Sequence, residues 1–164
     1  MVVINKAIGY FDGASRGNPG EAGAGALIKD KEGNVLWECA KYLGIKTNNE
    51  AEYNAVIELL KAVKDLGITE IKIYGDSNLV VSQLSRKWAI KKSHLRELAE
   101  TAWKVGAESQ AKIIYVWVPR EQNREADKLS NEAIDKAPQN QRDKELEEEA
   151  ERMYAEAVYG DPGR

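Results

Sequence analysis

The sequence predicts an α/β protein, a mixed five-stranded sheet flanked by helices in the element order βββαβααβα. Three observations carry that expectation. Residues 6–42 hold three strand-like runs joined by short turns, which suits an antiparallel meander. From Val56 onward the apolar period lengthens to that of a helix. The two later strand-like runs are separated by helical stretches, so they should lie parallel to each other and to one meander strand.

Lys6–Asp12 reads as the first strand, with Gly25–Lys29 and Asn34–Tyr42 as the second and third. Between the last two, DKEGN has the Gly/Asn chemistry of a hairpin turn. Pro19-Gly20 suits the middle of a type II turn, while Gly13 and Gly17 let the backbone approach closely. Val56, Leu59, Leu60, Val63 and Leu66 recur at helical spacing, and Gly67 ends that helix. Glu70–Tyr74 is a short strand, followed by helices over about Ser77–Ser85 and Ser93–Val105. Lys112–Val118 is the last strand and is stopped by Pro119. Asn123–Ala137 is helical, with Ala126, Leu129, Ala133, Ile134 and Ala137 on one face.

Residues 1–137 therefore read as one domain of ordinary size, and 138–164 as a charged C-terminal helical extension. Pro138 separates the two. The extension has a narrow apolar stripe of Leu146, Ala150, Met153, Ala157 and Val158. Packing on the domain, pairing with another chain and staying loose are all open to it. The expected state is a monomer, with association through the extension as the alternative.

Bulk composition excludes several classes. Hydrophobic residues at 43% and charged residues at 31% describe a soluble globular chain. Apolar stretches such as Ala55–Leu60 are broken by charge far short of the ~20 residues a bilayer requires. MVVINKAIGY lacks the pattern of a secretory signal, and the lone Cys39 cannot form an internal disulfide. A cytoplasmic location without membrane attachment is the expectation.

Net charge is −3, yet residues 139–164 carry 4 basic and 8 acidic residues, which leaves 20 basic and 19 acidic in the body. Arg86, Lys87, Lys91, Lys92 and Arg96 fall within eleven residues around Trp88. Such a cluster can follow a phosphate backbone and stack on sugars or bases. A solvated helix end is the plain alternative.

Four carboxylates stand where function gathers in open sheets, at the carboxyl ends of parallel strands. Asp12 ends the first strand and Asp76 the fourth. Glu52 is in register with Val56, Leu59 and Val63, so it faces inward, while Glu50 lies on a more exposed line. Asp127 sits on the margin of its helix's apolar face, in line with Ser130 and Ile134. Each acid has a local role open to it. Asp12 suits an Asx turn, Asp76 or Ser77 an N-cap, and Asp127 the positive end of its helix. Thr47-x-x-Glu50 and Asn49-x-x-Glu52 compete as capping boxes. Capping does not require inward-facing acids, however, and oxygen ligands without Cys or His suit Mg²⁺ or Mn²⁺.

DGASRGNPG, TNN-x-x-E, GDS and N-x-x-x-D occur here in order on those elements. In this the chain resembles type 1 ribonuclease H across roughly residues 5–137. The resemblance implies a ribonuclease H-like fold and a metal-dependent endonuclease that cuts the RNA strand of RNA/DNA hybrids. It implies that Asp12, Glu52, Asp76 and Asp127 hold two Mg²⁺ ions, with Mn²⁺ as a substitute, and that products end in 5′-phosphate and 3′-hydroxyl. It further places Gly13, Ser15, Asn18, Asn48, Asn49 and Asn78 on the RNA strand. Thr47 falls to a DNA phosphate, and Trp88 to the DNA strand.

The chain also departs from the family's pattern. The loop before the last helix, VPREQN, lacks the histidine of many members, and Arg120 is the nearest substitute. The segment from Gln83 to Leu98 is shorter than the basic protrusion of some bacterial members. The short loop resembles archaeal-type members. The alternatives are a non-catalytic module that binds hybrid or duplex RNA, and a DNA resolvase or integrase of the same fold. A phosphatase using Asp12 as nucleophile lacks a second Asp two residues on, where Ala14 stands.

Overall fold

The fold was obtained as a computed structural model and describes residues 5–159. Three long strands open it: β1 (Lys6–Gly17), β2 (Gly20–Lys29) and β3 (Val35–Lys46). Then follow α1 (Asn48–Leu66), β4 (Glu70–Gly75), α2 (Asn78–Leu84), α3 (Ser93–Ser109) and β5 (Lys112–Trp117). A 3₁₀ turn at Arg120–Gln122 leads into α4 (Arg124–Asp135), and α5 spans Gln139–Tyr159. The sheet order is β3-β2-β1-β4-β5. β1 pairs antiparallel with β2 and β2 with β3, whereas β1, β4 and β5 run parallel. The mixed five-stranded sheet expected from the sequence is the observed one.

Alternation along β2 divides the molecule into layers. Ala24, Ala26 and Ile28 join the core beneath α1, where Tyr53, Val56, Leu59, Leu60 and Val63 are fully buried. Gly23 and Gly25 point the other way, toward α4. A Cβ on Gly23 would lie 2.3 Å from the Ser130 carbonyl oxygen, and one on Gly25 2.4 Å from the Ser130 amide nitrogen. The AGAGA run of residues 22–26 therefore lets α4 lie directly on strand backbone. Full burial of a Leu or Tyr side chain contributes roughly 1.5–3 kcal/mol. Leu59→Ala, beneath the sheet, is accordingly expected to cost about 2–5 kcal/mol.

Two local choices differ from the expected ones. β1 continues past Asp12 to Gly17, and β2 begins at Gly20 rather than Gly25. The glycines of this stretch lower strand propensity, but unbroken pairing from Asp12↔Gly25 to Gly17↔Gly20 outweighs them. The hairpin turn is consequently centred on Asn18-Pro19, joined by a cis peptide bond, and not on Pro19-Gly20. Gly17 has φ 108°, so it meets a backbone demand of the turn in addition to any close approach.

Helix α1 resolves the competition between capping boxes. Thr47 Oγ1 accepts from the Glu50 amide at 3.2 Å, and the Thr47 amide donates to Glu50 Oε1 at 3.0 Å. Gly67, with φ 66°, closes the helix. Capping by Glu50 leaves Glu52 free to face inward.

Helix α5 begins after Pro138, as the composition suggests, and its first turns contact β3. Arg142 donates from Nε and Nη2 to the two oxygens of Glu21, each at 2.8 Å. Further along, Leu146, Met153, Tyr154 and Val158 are exposed. No helix among the described residues is long and apolar enough to cross a membrane.

Candidate active site

The parallel pairing of β1 with β4 ends at Phe11↔Gly75. The next residue on each strand is an aspartate, so Asp12 and Asp76 emerge side by side where β4 stops. Glu52 reaches the same place from the first turns of α1. One oxygen from each of Asp12, Glu52 and Asp76 lies within 4.8 Å of the others. A cleft of about 550 Å³ opens over them.

Gly13 sets how closely strand and helix approach here. A Cβ at Gly13 would lie 2.2 Å from the Glu52 amide nitrogen and 2.3 Å from the Ala51 carbonyl carbon. Any side chain would push β1 and α1 apart and separate Asp12 from Glu52. Asp76 is free because Ser77 takes the capping role at α2, accepting from the Val80 amide at 3.3 Å. The Trp117 indole donates to the Asp76 carbonyl oxygen at 3.2 Å and ties β5 to this corner.

Asp12 and Glu52 are both buried. Burial, then repulsion from Asp76, pushes the Asp12 carboxyl up to about 8, against a hydrogen bond from Ser130 that favours its charged form. Glu52 is driven well above the ordinary glutamate range by burial first, then by Asp12 and Asp76. Among the described residues none of the three acids has a salt-bridge partner, and the buried Glu52 Oε2 has no hydrogen-bond partner. An orphaned carboxylate oxygen amid two further acids, without His or Cys, fits a hard divalent cation.

Asp127 does not join this tight group. It lines the same cleft, close enough to Asp12 to oppose its ionisation. Its Oδ1 accepts from Asn131 Nδ2 at 3.3 Å and stands 3.5 Å from Arg120 Nη2. Three of the four expected carboxylates thus converge, while the fourth is drawn toward donors of its own helix and loop. Asp12 itself makes no Asx turn, since β1 runs on through it.

The other sequence-derived residues separate into groups. Gly13, Ser15, Asn48 and Asn49 line the cleft, as does Arg120. The Ser15 hydroxyl donates to the Lys46 carbonyl oxygen at 2.8 Å. Asn18 Oδ1 accepts from the Asn48 amide at 3.0 Å, so it ties the β1–β2 turn to the start of α1. Thr47 is the α1 cap. Asn78 is exposed at the start of α2, where its Oδ1 accepts from Ser82 Oγ at 3.1 Å. Trp88, 48% exposed, lies outside the acidic cleft. It flanks a separate groove with Arg96, Trp103 and Arg86, whose guanidinium sits 3.8 Å from the Trp103 ring centre.

Three further residues shape the site: Asn131 and Ser130, which were not singled out for it, and Asn123, which opens the N-x-x-x-D motif. Asn131 stands one helical turn after Asp127, a spacing that could have marked it. The buried Asn123 donates from Nδ2 to the Phe11 carbonyl oxygen at 2.8 Å, fixing the start of α4 beside Asp12. Ser130 reaches Asp12 from 118 residues away in sequence, and no local pattern signals that.

A five-stranded mixed sheet of this order, with acids at its carboxyl edge, is of the ribonuclease H-like class. The family described as "Reverse transcriptase-like" matches residues 10–133. The ribonuclease HI of Halobacterium salinarum is 41% identical over 132 residues, covering 78% of this chain and 64% of that one. A bifunctional protein of Mycobacterium tuberculosis is 42% identical over 135 residues, covering 82% of this chain and 37% of its own length. The chain thus spans between about a third and two thirds of these relatives. The crystal structure of the Halobacterium RNase H1 superposes with TM-score 0.78 at 39% identity, covering 81% of this chain and all of that one. LC11-RNase H1 in complex with an RNA/DNA hybrid superposes with TM-score 0.75 at 40% identity, covering 79% and 97%. The chain belongs to the type 1 ribonuclease H family, with an archaeal protein among its similar relatives.

Proposed function

We propose that the protein is a metal-dependent endonuclease that hydrolyses the RNA strand of RNA/DNA hybrids, leaving 5′-phosphate and 3′-hydroxyl ends. The observation that carries the reading is the convergence of Asp12, Glu52 and Asp76 around an orphaned glutamate oxygen. A relative of 40% identity crystallised with RNA/DNA hybrid supports the substrate class.

Asp12, Glu52 and Asp76 would hold divalent cations, with Asp127 as the fourth ligand. Two Mg²⁺ ions, or Mn²⁺ in their place, would supply Lewis acidity toward the attacking water and charge neutralisation at the leaving 3′ oxygen. The chain's own residues do the rest. Ser15, Asn48 and Asn49 line the cleft with neutral donors and acceptors, which suit a 2′-hydroxyl better than a bare phosphate. Asn18 preserves their spacing through the Asn48 amide, and Asn78 extends the set at α2. Arg120, 3.5 Å from Asp127, is placed to exchange that carboxylate for a phosphate or leaving group. Thr47 would meet a DNA phosphate, and Trp88 with its basic neighbours the DNA strand by stacking and charge. The proposal includes a monomeric, cytoplasmic protein, in keeping with a single half-buried cysteine.

The test is cleavage of end-labelled hybrid, duplex DNA, duplex RNA and single-stranded RNA, with Mg²⁺, Mn²⁺ or chelator. Metal-dependent cutting confined to the RNA strand of the hybrid is expected. Cutting of duplex DNA alone would assign the chain to resolvase-type chemistry, and tight hybrid binding without turnover to a binding module.

A further inference from the structure

Ser130 is fully buried, and its hydroxyl has one proton with two acceptors in reach. Asp12 Oδ2 lies 3.0 Å away and the Asp127 carbonyl oxygen 2.8 Å away. A serine bonded to the carbonyl three residues back is common in helices and by itself means little. The two acceptors are not equally in need, however. The Asp127 carbonyl already accepts from Asn131 Nδ2 at 3.0 Å. Among the described residues no other hydroxyl, amide or cationic side chain donates to Asp12, and once a cation holds Asp12 ionised, a bond to a carboxylate is the stronger kind.

We propose that Ser130 is a positioning residue for the acid cluster: its hydroxyl holds Asp12 Oδ2 and leaves the other oxygen to face Glu52 and Asp76. The proposal rests on the metal-site reading above. The main chain has made room for this contact. Gly23 and Gly25 of β2 lie against the carbonyl and amide of Ser130 itself, so α4 sits low enough for a short hydroxyl to reach β1. Nothing longer than serine is required, and alanine would leave Asp12 Oδ2 without its donor. Partners that orient a metal ligand in this way commonly alter affinity by ten- to a hundredfold when removed.

The test titrates Mn²⁺ into the whole, substrate-free protein and reads free Mn²⁺ by electron paramagnetic resonance. Wild type, Ser130→Ala and Asp76→Asn are compared. Ser130→Ala is expected to weaken Mn²⁺ affinity on the order of tenfold. The Mn²⁺ concentration for half-maximal hybrid cleavage should rise by a similar factor, while the KM for hybrid and the melting temperature in chelator stay unchanged. Wild-type affinity in Ser130→Ala would overturn the proposal and assign the hydroxyl to the Asp127 carbonyl. A fall in melting temperature accompanying the loss would also overturn it, by tracing the effect to the packing of α4. If wild type binds no more Mn²⁺ than Asp76→Asn does, the metal-site reading fails and the Ser130 role with it. Loss of affinity in Asp76→Asn alone rejects only the role of Ser130.

Discussion

Two parts of the chain are rich in carboxylates and treat them in opposite ways. In and around α5 the acids face water or a cation. Glu149 sits 2.6 Å from Arg152, and Glu21 is held by the Arg142 fork, which draws its carboxyl below the usual range. At the edge of the sheet Asp12, Glu52 and Asp76 have no such cation among the described residues, and burial raises the first two. The extension is the more acidic by composition, yet its described residues offer no converging ligand set. Charge becomes chemistry only where packing forbids it from being solvated or paired.

That contrast can be broken most directly at Asp76. Asp76→Asn is expected to lower hybrid cleavage by on the order of 10³-fold or more, with the fold retained, as judged by circular dichroism and turnover rates. Full activity would remove Asp76 from the ligand set. Next in size is a pH effect. In chelator the folded Asp12 carboxyl, raised from 3.8 to about 8, keeps its proton where the unfolded chain has lost one. The folded state then binds more protons, so this group's contribution to stability falls as pH rises from about 4 to about 8. Asp12→Asn removes that slope. Its stability advantage over wild type should grow across the window to a few kcal/mol, measured by urea unfolding at pH 5 and pH 8. Parallel curves would mean that Asp12 is no more strained than the acids of α5.

Arg142→Ala sharpens the other side of the comparison. It should free α5 from β2, seen as faster proteolysis within residues 139–159 while the body stays protected. The bond's contribution is present above the ordinary glutamate value of 4.5 and is lost as pH falls through the lowered value of Glu21. Smallest of all should be the joint change Glu147→Gln, Glu151→Gln and Glu156→Gln. Metal-dependent turnover should then stay within about twofold of wild type. A large change would show that the extension takes part in the site after all.

Much of this arrangement is legible in the sequence, for reasons particular residues make clear. Glu52 could be placed because its spacing to Val56, Leu59 and Val63 states which way α1 faces. Asp12 and Asp76 could be placed together only on the condition that their strands are neighbours, which the parallel pairing of β1 with β4 meets. What the chain conceals is mostly long-range. The strand character of residues 13–17 depends on β2 as partner, and the glycines there argue locally for a loop. Asp127 was legible as a site acid, but its preference for Asn131 and Arg120 is a competition among donors that spacing does not decide. Trp88 lies in a cationic run that says nothing of which groove it enters. Only the folded molecule shows that groove to be distinct from the cleft.

The contact at Gly13 has a consequence for how the site responds to disturbance. Side chains can change rotamer, and a ligand pair held apart by side chains can loosen as the temperature rises. Here the neighbours of Asp12 and Glu52 meet backbone against backbone, with no atom between them that could swing aside. The interval between the two acids is therefore a property of the main chain, like the pitch of a screw. It should stay constant through substitutions around it and change abruptly when a single methyl group is added at residue 13.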